Sequence, residues 1–599
     1  MSGKVAATRP SQPARNDSVL PGHLIDDVVN VPVTPAFGGD LKKKLASAKT
    51  GRRSGVARDY FGAQAGKSEK QPAGTIISAT FTMPRISRKE GESKWNLNHG
   101  FYPSAHLDCL AHLSSDNTPW KHKVIAWTGE ISSSATSESS TPKDSSPAIP
   151  SNEKVQERKE SPCEEDLILS TEDQKSLEKE LCECSESTII PVWLYHDDQV
   201  CDDGITLKNQ STWRKYAEHD LFPLFHYKQR EPVGGGQEDV RWSDYYTANL
   251  AFADKICETY TPGDVVLVHD YYLMLVPQMV RKRLPHAKIV FILQTPFPTS
   301  EFIRCLCHRK DILEGVLGAD LVVFQAEIYS HHFANSCARI LKSTTSEDHV
   351  DADGRRVQLM HLPTGVDISK ILQRAFTPSV DRQCEALARS NAGKKILLGH
   401  DPMHSLSGLD KKLQAYEKFL HDHPEWRDKV VLLQITSEAM LAVDGTDESD
   451  FAADVSVLVS SINATYGSLS HTPIQISPPP QTRDEYFALL RQSDAALVTS
   501  VREGISATAF EYAVCQRERH GTLVVSEFSG TAAAMGEAVL INPWDTAAVA
   551  REIYAALTAS SEERRRRHAA LYGQVLGMGV EIWAKKLMDK TEAVTNHED

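Results

Sequence analysis

The sequence predicts an α/β protein of two doubly wound, Rossmann-like lobes, and two observations carry that prediction. Short β-branched runs alternate with amphipathic helical stretches, in one group before residue 390 and a second group after it. Near-continuous apolar strands separated by helices indicate parallel sheets covered on both faces. The chain also has 599 residues, whereas a single core stops growing at about 250 to 300.

Residues 1–72 are rich in Ala, Pro, Ser, Lys and Gly with little apolar periodicity. Such a composition does not repay the entropy of ordering, so a disordered tail is expected. The first lobe is expected over 73–368, interrupted at about 132–162 by SSSATSESSTPKDSSPAIPSNEKVQERKESP, which reads as a disordered surface insertion. Downstream, Ser170 and Asp173 form a capping signature ahead of Leu177 and Leu181 at helical spacing, which predicts a helix. The strands DVVLVHD, KIVFILQ and DLVVFQ follow. The second lobe is expected over 369–570, with strands KKILLG, KVVLLQIT, AALVTS, TLVVSE and AVLIN. A C-terminal helix over 571–599 is expected to return to the first lobe. In such a pair, ligands bind at the carboxyl ends of the strands and between the lobes.

Composition narrows the function. No window approaches about 18 uncharged apolar residues, and the polar N-terminus lacks the apolar stretch of a secretory signal, so no membrane partner is expected and the cytoplasm is the default compartment. Eleven cysteines without CxxC or Cys/His spacing argue for reduced thiols rather than disulfides or zinc. A net charge of −14 argues against nucleic acid. The basic runs Lys42–Lys44 and Arg564–Arg567 read as solvated charge. No GxGxxG follows an early strand and no GxxxxGK[ST] occurs, so neither a dinucleotide nor a P-loop enzyme is supported. No cofactor and no metal are expected.

The most informative stretch is GDVVLVHDYYLMLVPQMVRKRLPHAKIVFILQTPFPTSEFIRCLCHRKDILEGVLGADLVVFQ, from Gly263 to Gln325. With LFPLFHY, LPTGVD, VREGISATAFEY, SEFSG and NPWD it closely resembles the trehalose-6-phosphate synthase family, glycosyltransferase family 20, over about 75–590. That resemblance implies a GT-B fold and a retaining transfer of glucose from UDP-glucose to glucose 6-phosphate. Such a transfer develops negative charge on the departing diphosphate, which positioned cations or amide donors must stabilise.

The resemblance also assigns pocket positions, and many are altered. Pro402 stands where the family has an arginine and Ser407 where it has a lysine. Losing one such donor costs about 3–4 kcal/mol of transition-state stabilisation. Lys411 and Lys412 fall in the following amphipathic helix and are expected to face solvent. Asp270 matches the aspartate at the acceptor sugar, or else caps the next helix. Tyr272 and Gln294 replace two histidines, Thr82 replaces an arginine, and Phe222 replaces a tryptophan. Of the consecutive glycines expected near the diphosphate, Gly100 remains. Glu503 and Gly504 stand for the family's Asp-Gly, and Glu511 for the glutamate at the nucleotide ribose; the alternative is a capped helix packed on the sheet. His331 and His332 are adjacent on a helix and read as exposed residues rather than ligands.

A sheet that keeps its strands while losing so many polar positions reads as a pseudoenzyme. WKHKVIAWTGEI, at 120–131, looks most like the non-catalytic regulatory subunits of the fungal trehalose synthase complex. Their C-terminal phosphatase-like domain has no counterpart before residue 599, and no DxDxT motif is present. The expected role is a catalytically impaired regulatory or structural subunit. Its expected partners are a catalytic synthase, possible phosphatase subunits, and weakly held UDP-glucose or sugar phosphate. The alternative is an active synthase whose diphosphate is held by Lys411, Lys412 or Arg502.

Overall fold

A computed structural model describes residues 74–81, 85–88, 95–98, 105–133, 167–183, 188–201, 203–229, 236–437, 446–477 and 482–595. The tail expected over 1–72 lies outside them, as does the insertion beyond Ser133. Ser132–Ser133 itself pairs in parallel with Ser87–Arg88. Everything described belongs to one unit, Gln71–Asp599.

The first sheet has nine strands: β1 (Thr75–Thr80), β2 (Lys121–Trp127), β3 (Thr188–Val192), β4 (Val265–His269), β5 (Lys288–Ile292), β6 (Leu321–Phe324), β7 (Thr344–Thr345), β8 (His349–Ala352) and β9 (Arg355–His361). Their order is β7-β8-β9-β6-β5-β4-β1-β2-β3. The seven strands from β9 to β3 run parallel, with Val265 opposite Ile76 and Lys288, and β7 and β8 add an antiparallel edge. The second sheet has six parallel strands: β10 (Lys395–Pro402), β11 (Val430–Ser437), β12 (Ile474–Ser477), β13 (Ala495–Val498), β14 (Thr522–Ser526) and β15 (Val539–Ile541), in the order β12-β11-β10-β13-β14-β15. Every residue of β4, β6, β13 and β14 is buried, which is why these runs are near-continuously apolar rather than alternating, with polar residues only at strand ends, His269, Thr522 and Ser526. This is the doubly wound, two-lobed GT-B architecture.

Helices cover both sheets. α1 (Ala105–Ser114), α2 (Thr171–Glu183) and α3 (Gln237–Thr259) belong with the first, and α4 (Leu409–Asp422), α5 (Arg483–Gln492) and α6 (Ala507–Cys515) with the second. At the start of α2, Asp173 accepts from the Ser170 amide while Ser170 Oγ accepts from the Asp173 amide, which is the reciprocal cap read from the sequence. The last helix, α7 (Val580–Thr595), lays Val580, Trp583, Leu587 and Met588 on Ile76, Leu267, Val290 and Leu321 of the first sheet. Its approach depends on Gly365, where a Cβ would stand 2.8 Å from Trp583 Cβ and Val580 Cα. No helix among the described residues is long and apolar enough to cross a membrane.

Candidate functional site

Eight of the ten candidate positions are described; Thr82 and Gly100 are not. Asp270 follows β4 in a left-handed backbone conformation, φ 67°, which costs a non-glycine residue about 1–3 kcal/mol and tends to occur at functional sites. Its amide donates to Ile292 O at 2.8 Å and its Oδ1 accepts from the Gln294 amide at 3.3 Å. The carboxylate makes no N-capping bond to the short turn Tyr271–Leu273, which disfavours the capping alternative. Burial pushes it up to about 6 against the pull of neighbouring amides.

Gln294 spends its side-chain amide on His106 Nδ1 at 2.6 Å, and His106 Nε2 lies 3.0 Å from Thr80 Oγ1. Burial lowers His106 and His122 to about 4 and holds His269 well below its ordinary value, so the imidazoles behind these strand ends are neutral. Tyr272 packs beside the carboxyl end of β1. Its ring stacks on Phe81 at 4.6 Å and 1°, and its hydroxyl donates to Glu218 Oε1 at 2.9 Å. Phe222 lies 4.0 Å from the His226 ring and 6.3 Å from that of His404, which belongs to the second lobe.

The loop after β10 holds the two positions, Pro402 and Ser407, at which cations were expected. Pro402 ends the strand, its carbonyl accepting from the His404 amide at 2.9 Å. Ser407 is buried and turned inward: its Oγ donates to His404 O at 2.7 Å and accepts from the Leu409 amide at 3.3 Å, at the start of α4. The imidazole of His404 is pushed down to about 4 by burial.

Lys412 corrects one expectation. It is fully buried, not solvent-facing, and its Nζ ion-pairs with Asp401 Oδ2. Gln434 Nε2 donates to the same oxygen at 2.8 Å. A buried cation so neutralised is not available to a diphosphate. Lys411 pairs with Asp410 at 3.1 Å and lies 5.1 Å over the Trp544 ring.

The lobes meet at Gly504. A Cβ there would stand 2.0 Å from Gln294 O, so only glycine allows this approach. Beside it, Tyr329 Oη donates to Glu503 O at 3.1 Å, and Glu503 Oε2 accepts from Ser500 Oγ at 2.6 Å. Arg502 lies between Tyr227, at 4.0 Å, and Phe528, at 5.0 Å. Lys228 was not singled out from the sequence; its Nζ donates to Ser405 Oγ at 3.0 Å across the cleft. Asp270, Gln294, Phe222, Pro402, Ser407, Glu503 and Gly504 thus gather at facing strand ends. Glu511 lies further along α6, within electrostatic reach of Asp108 on α1 and of its ion-pair partner Lys370.

Glu511 is buried and accepts from Tyr486 Oη at 2.6 Å. Burial raises its carboxyl from 4.5 to about 8. A carboxyl with a higher pKa in the folded than in the unfolded chain binds extra proton in the fold. Its stability contribution is therefore full below pH 4.5 and is lost as pH rises through about 8. Glu511→Gln is expected to flatten that loss by something on the order of 2–4 kcal/mol across the window. Urea unfolding at a series of pH values checks it; parallel profiles for the two proteins would refute it.

Comparison with known proteins agrees with this geometry. The sequence model described as Glycosyltransferase family 20 matches residues 123–593. A trehalose-phosphatase of Saccharomyces cerevisiae is 33% identical over 554 residues, covering 87% of this chain and 59% of its own. The trehalose synthase complex regulatory subunit of the same yeast is 36% identical over 393 residues, covering 65% and 36%. The N-terminal domain of Candida albicans trehalose-6-phosphate phosphatase superposes with a TM-score of 0.73 at 34% identity, covering 88% of this chain and 98% of that domain. The chain spans roughly 60% of the length of the trehalose-phosphatases it matches. With two doubly wound sheets, a cleft at their facing strand ends and these relatives, the chain belongs to glycosyltransferase family 20.

Proposed function

We propose that this chain is a catalytically impaired member of its family, acting as a regulatory or structural subunit in a trehalose-biosynthesis assembly in the cytoplasm. In this reading residues 73–368 form the acceptor-side lobe and 369–570 the nucleotide-sugar side. The observation that carries it is the loop after β10: Pro402 has no donor, Ser407 is spent on His404 and Leu409, His404 is neutral, and Lys412 is locked to Asp401. In this reading that loop offers a departing diphosphate no free side-chain cation. The similarity to a regulatory subunit and to phosphatase N-terminal domains supports a place beside catalytic synthase and phosphatase chains. The backbone amides opening α6 leave room for weak UDP-glucose or sugar-phosphate binding.

Two observations favour the second reading, an active synthase with replacement cations: Lys228 reaches Ser405 from the opposite lobe, and Arg502 lies over the Tyr227 ring of that lobe. UDP release from UDP-glucose and glucose 6-phosphate separates the two. The purified chain is expected to release none alone and to alter the turnover of a catalytic synthase that co-purifies with it. Turnover by the chain alone, lost in Lys228→Ala or Arg502→Ala, would overturn the pseudoenzyme reading.

A further inference from the structure

A pocket of about 450 Å³ on the first lobe is lined by Arg304, Arg309, Lys310, Arg339, Ile340 and Lys342. It shares no residue with the cleft. Three separate segments supply the cations. Arg304 follows the short helix Ser300–Ile303, Arg309 and Lys310 open the helix Arg309–Val316, and Arg339 lies in the wide π-type turn Cys337–Leu341. Lys342 comes next, in a left-handed conformation at φ 65°. Both the wide turn and a left-handed lysine are local departures from regular helix, and such departures tend to mark functional sites.

The charge of this lining is not cancelled. Arg339 pairs with Glu301 at 2.7 Å, and among the described residues the other four have no carboxylate partner. Two are held in place by carbonyls: Arg309 Nη1 donates to Leu306 O at 2.8 Å and Lys342 Nζ to Arg339 O at 3.1 Å. Five cations against one carboxylate leave four positive charges in excess, on a chain whose net charge is −14. Like charges so gathered repel one another unless an anion joins them. Three guanidinium forks suit the oxygens of phosphate, and two ammonium groups add point charges. A phosphate monoester carries about −1.5 to −2 at neutral pH, so two phosphate groups match the excess.

We propose that this pocket binds a small soluble ligand carrying two or more phosphate groups. The volume suits a compact metabolite, since small-molecule sites run from about 300 to 1,000 Å³. The ligand sits apart from the cleft and does not depend on sugar-nucleotide binding there.

Calorimetric titration of the full chain tests this, with inorganic tripolyphosphate as the probe and inorganic phosphate as the single-phosphate comparison. Tripolyphosphate is expected to bind at least about tenfold more tightly than phosphate, and to weaken as salt is raised. Arg304→Glu with Lys310→Glu is expected to weaken it at least about thirtyfold without lowering the melting temperature. Arg565→Glu, on an exposed helix face away from the pocket, is expected to leave it unchanged. If the double variant does not fold, Arg309→Gln with Lys342→Gln makes the same test. Absence of binding at millimolar tripolyphosphate, equal binding by the variants, or preference for a phosphorylated peptide spanning 132–162 would overturn the proposal.

Discussion

Asp401→Ala is expected to lower the unfolding free energy by about 3–5 kcal/mol, because it leaves the Lys412 ammonium buried without its ion-pair partner. Lys412 is fully enclosed, and its remaining partner, Gln434 Oε1, is a neutral acceptor at 3.4 Å. The enclosure is tight, since a Cβ on Gly399 would lie 2.8 Å from Lys412 Nζ, so water has little room to replace the carboxylate. Replacing both partners by apolar residues of similar size, Asp401→Leu with Lys412→Met, is expected to recover most of the loss, because the desolvation cost of two charges disappears with them. Urea unfolding of the single and double variants decides it. A single variant within about 1 kcal/mol of the unaltered protein would place Lys412 in contact with water or with a second acid.

Trp583→Ala is expected to cost a similar amount, about 3–5 kcal/mol, through the cavity it opens between α7 and the first sheet. Trp583 is 3% exposed and lies among Ile76, Leu267, Val290 and Leu321, while Gly365 presses on its Cβ. Rigid strands on one side and glycine backbone on the other limit collapse into the space. Hydrogen exchange would show loss of protection over 580–595 first. Unchanged protection there, with an unchanged melting temperature, would mean that α7 contributes little to the fold.

The two sheets were legible because their strands carry one signal, β-branched apolar runs, and the parallel pairing buries all of it. The small antiparallel pieces were not, since two-residue strands such as Thr344–Thr345 give no periodicity to read. The site was legible only as a set of positions. Where the side chains point depends on partners distant in sequence: Tyr272 on Phe81 and Glu218, Gln294 on His106, Glu511 on Tyr486. Lys412 is the instructive miss, because its signal was present. Leu409, Leu413, Tyr416 and Leu420 form one buried stripe of α4, and position 412 falls on that stripe at i+3. A lysine on an apolar stripe asks for a buried acid, and Asp401 at the end of β10 supplies it. Lys228 gave no comparable warning, as it lies in no periodic element and meets Ser405 only through the approach of the lobes.

The seat of Tyr272 bears on which side chains position 272 can hold. Its ring lies flat on Phe81, and its hydroxyl sits between Glu218 and Tyr271, with Glu218 in turn held by Arg214. A histidine placed at 272 would be too short to reach Glu218 and would leave a half-neutralised acid in a buried setting, where burial already raises its pKa. The neighbours are fitted to the tyrosine. A single Tyr272→His change is therefore expected to destabilise the fold, since Glu218 and Tyr271 would each lose a partner in a buried setting.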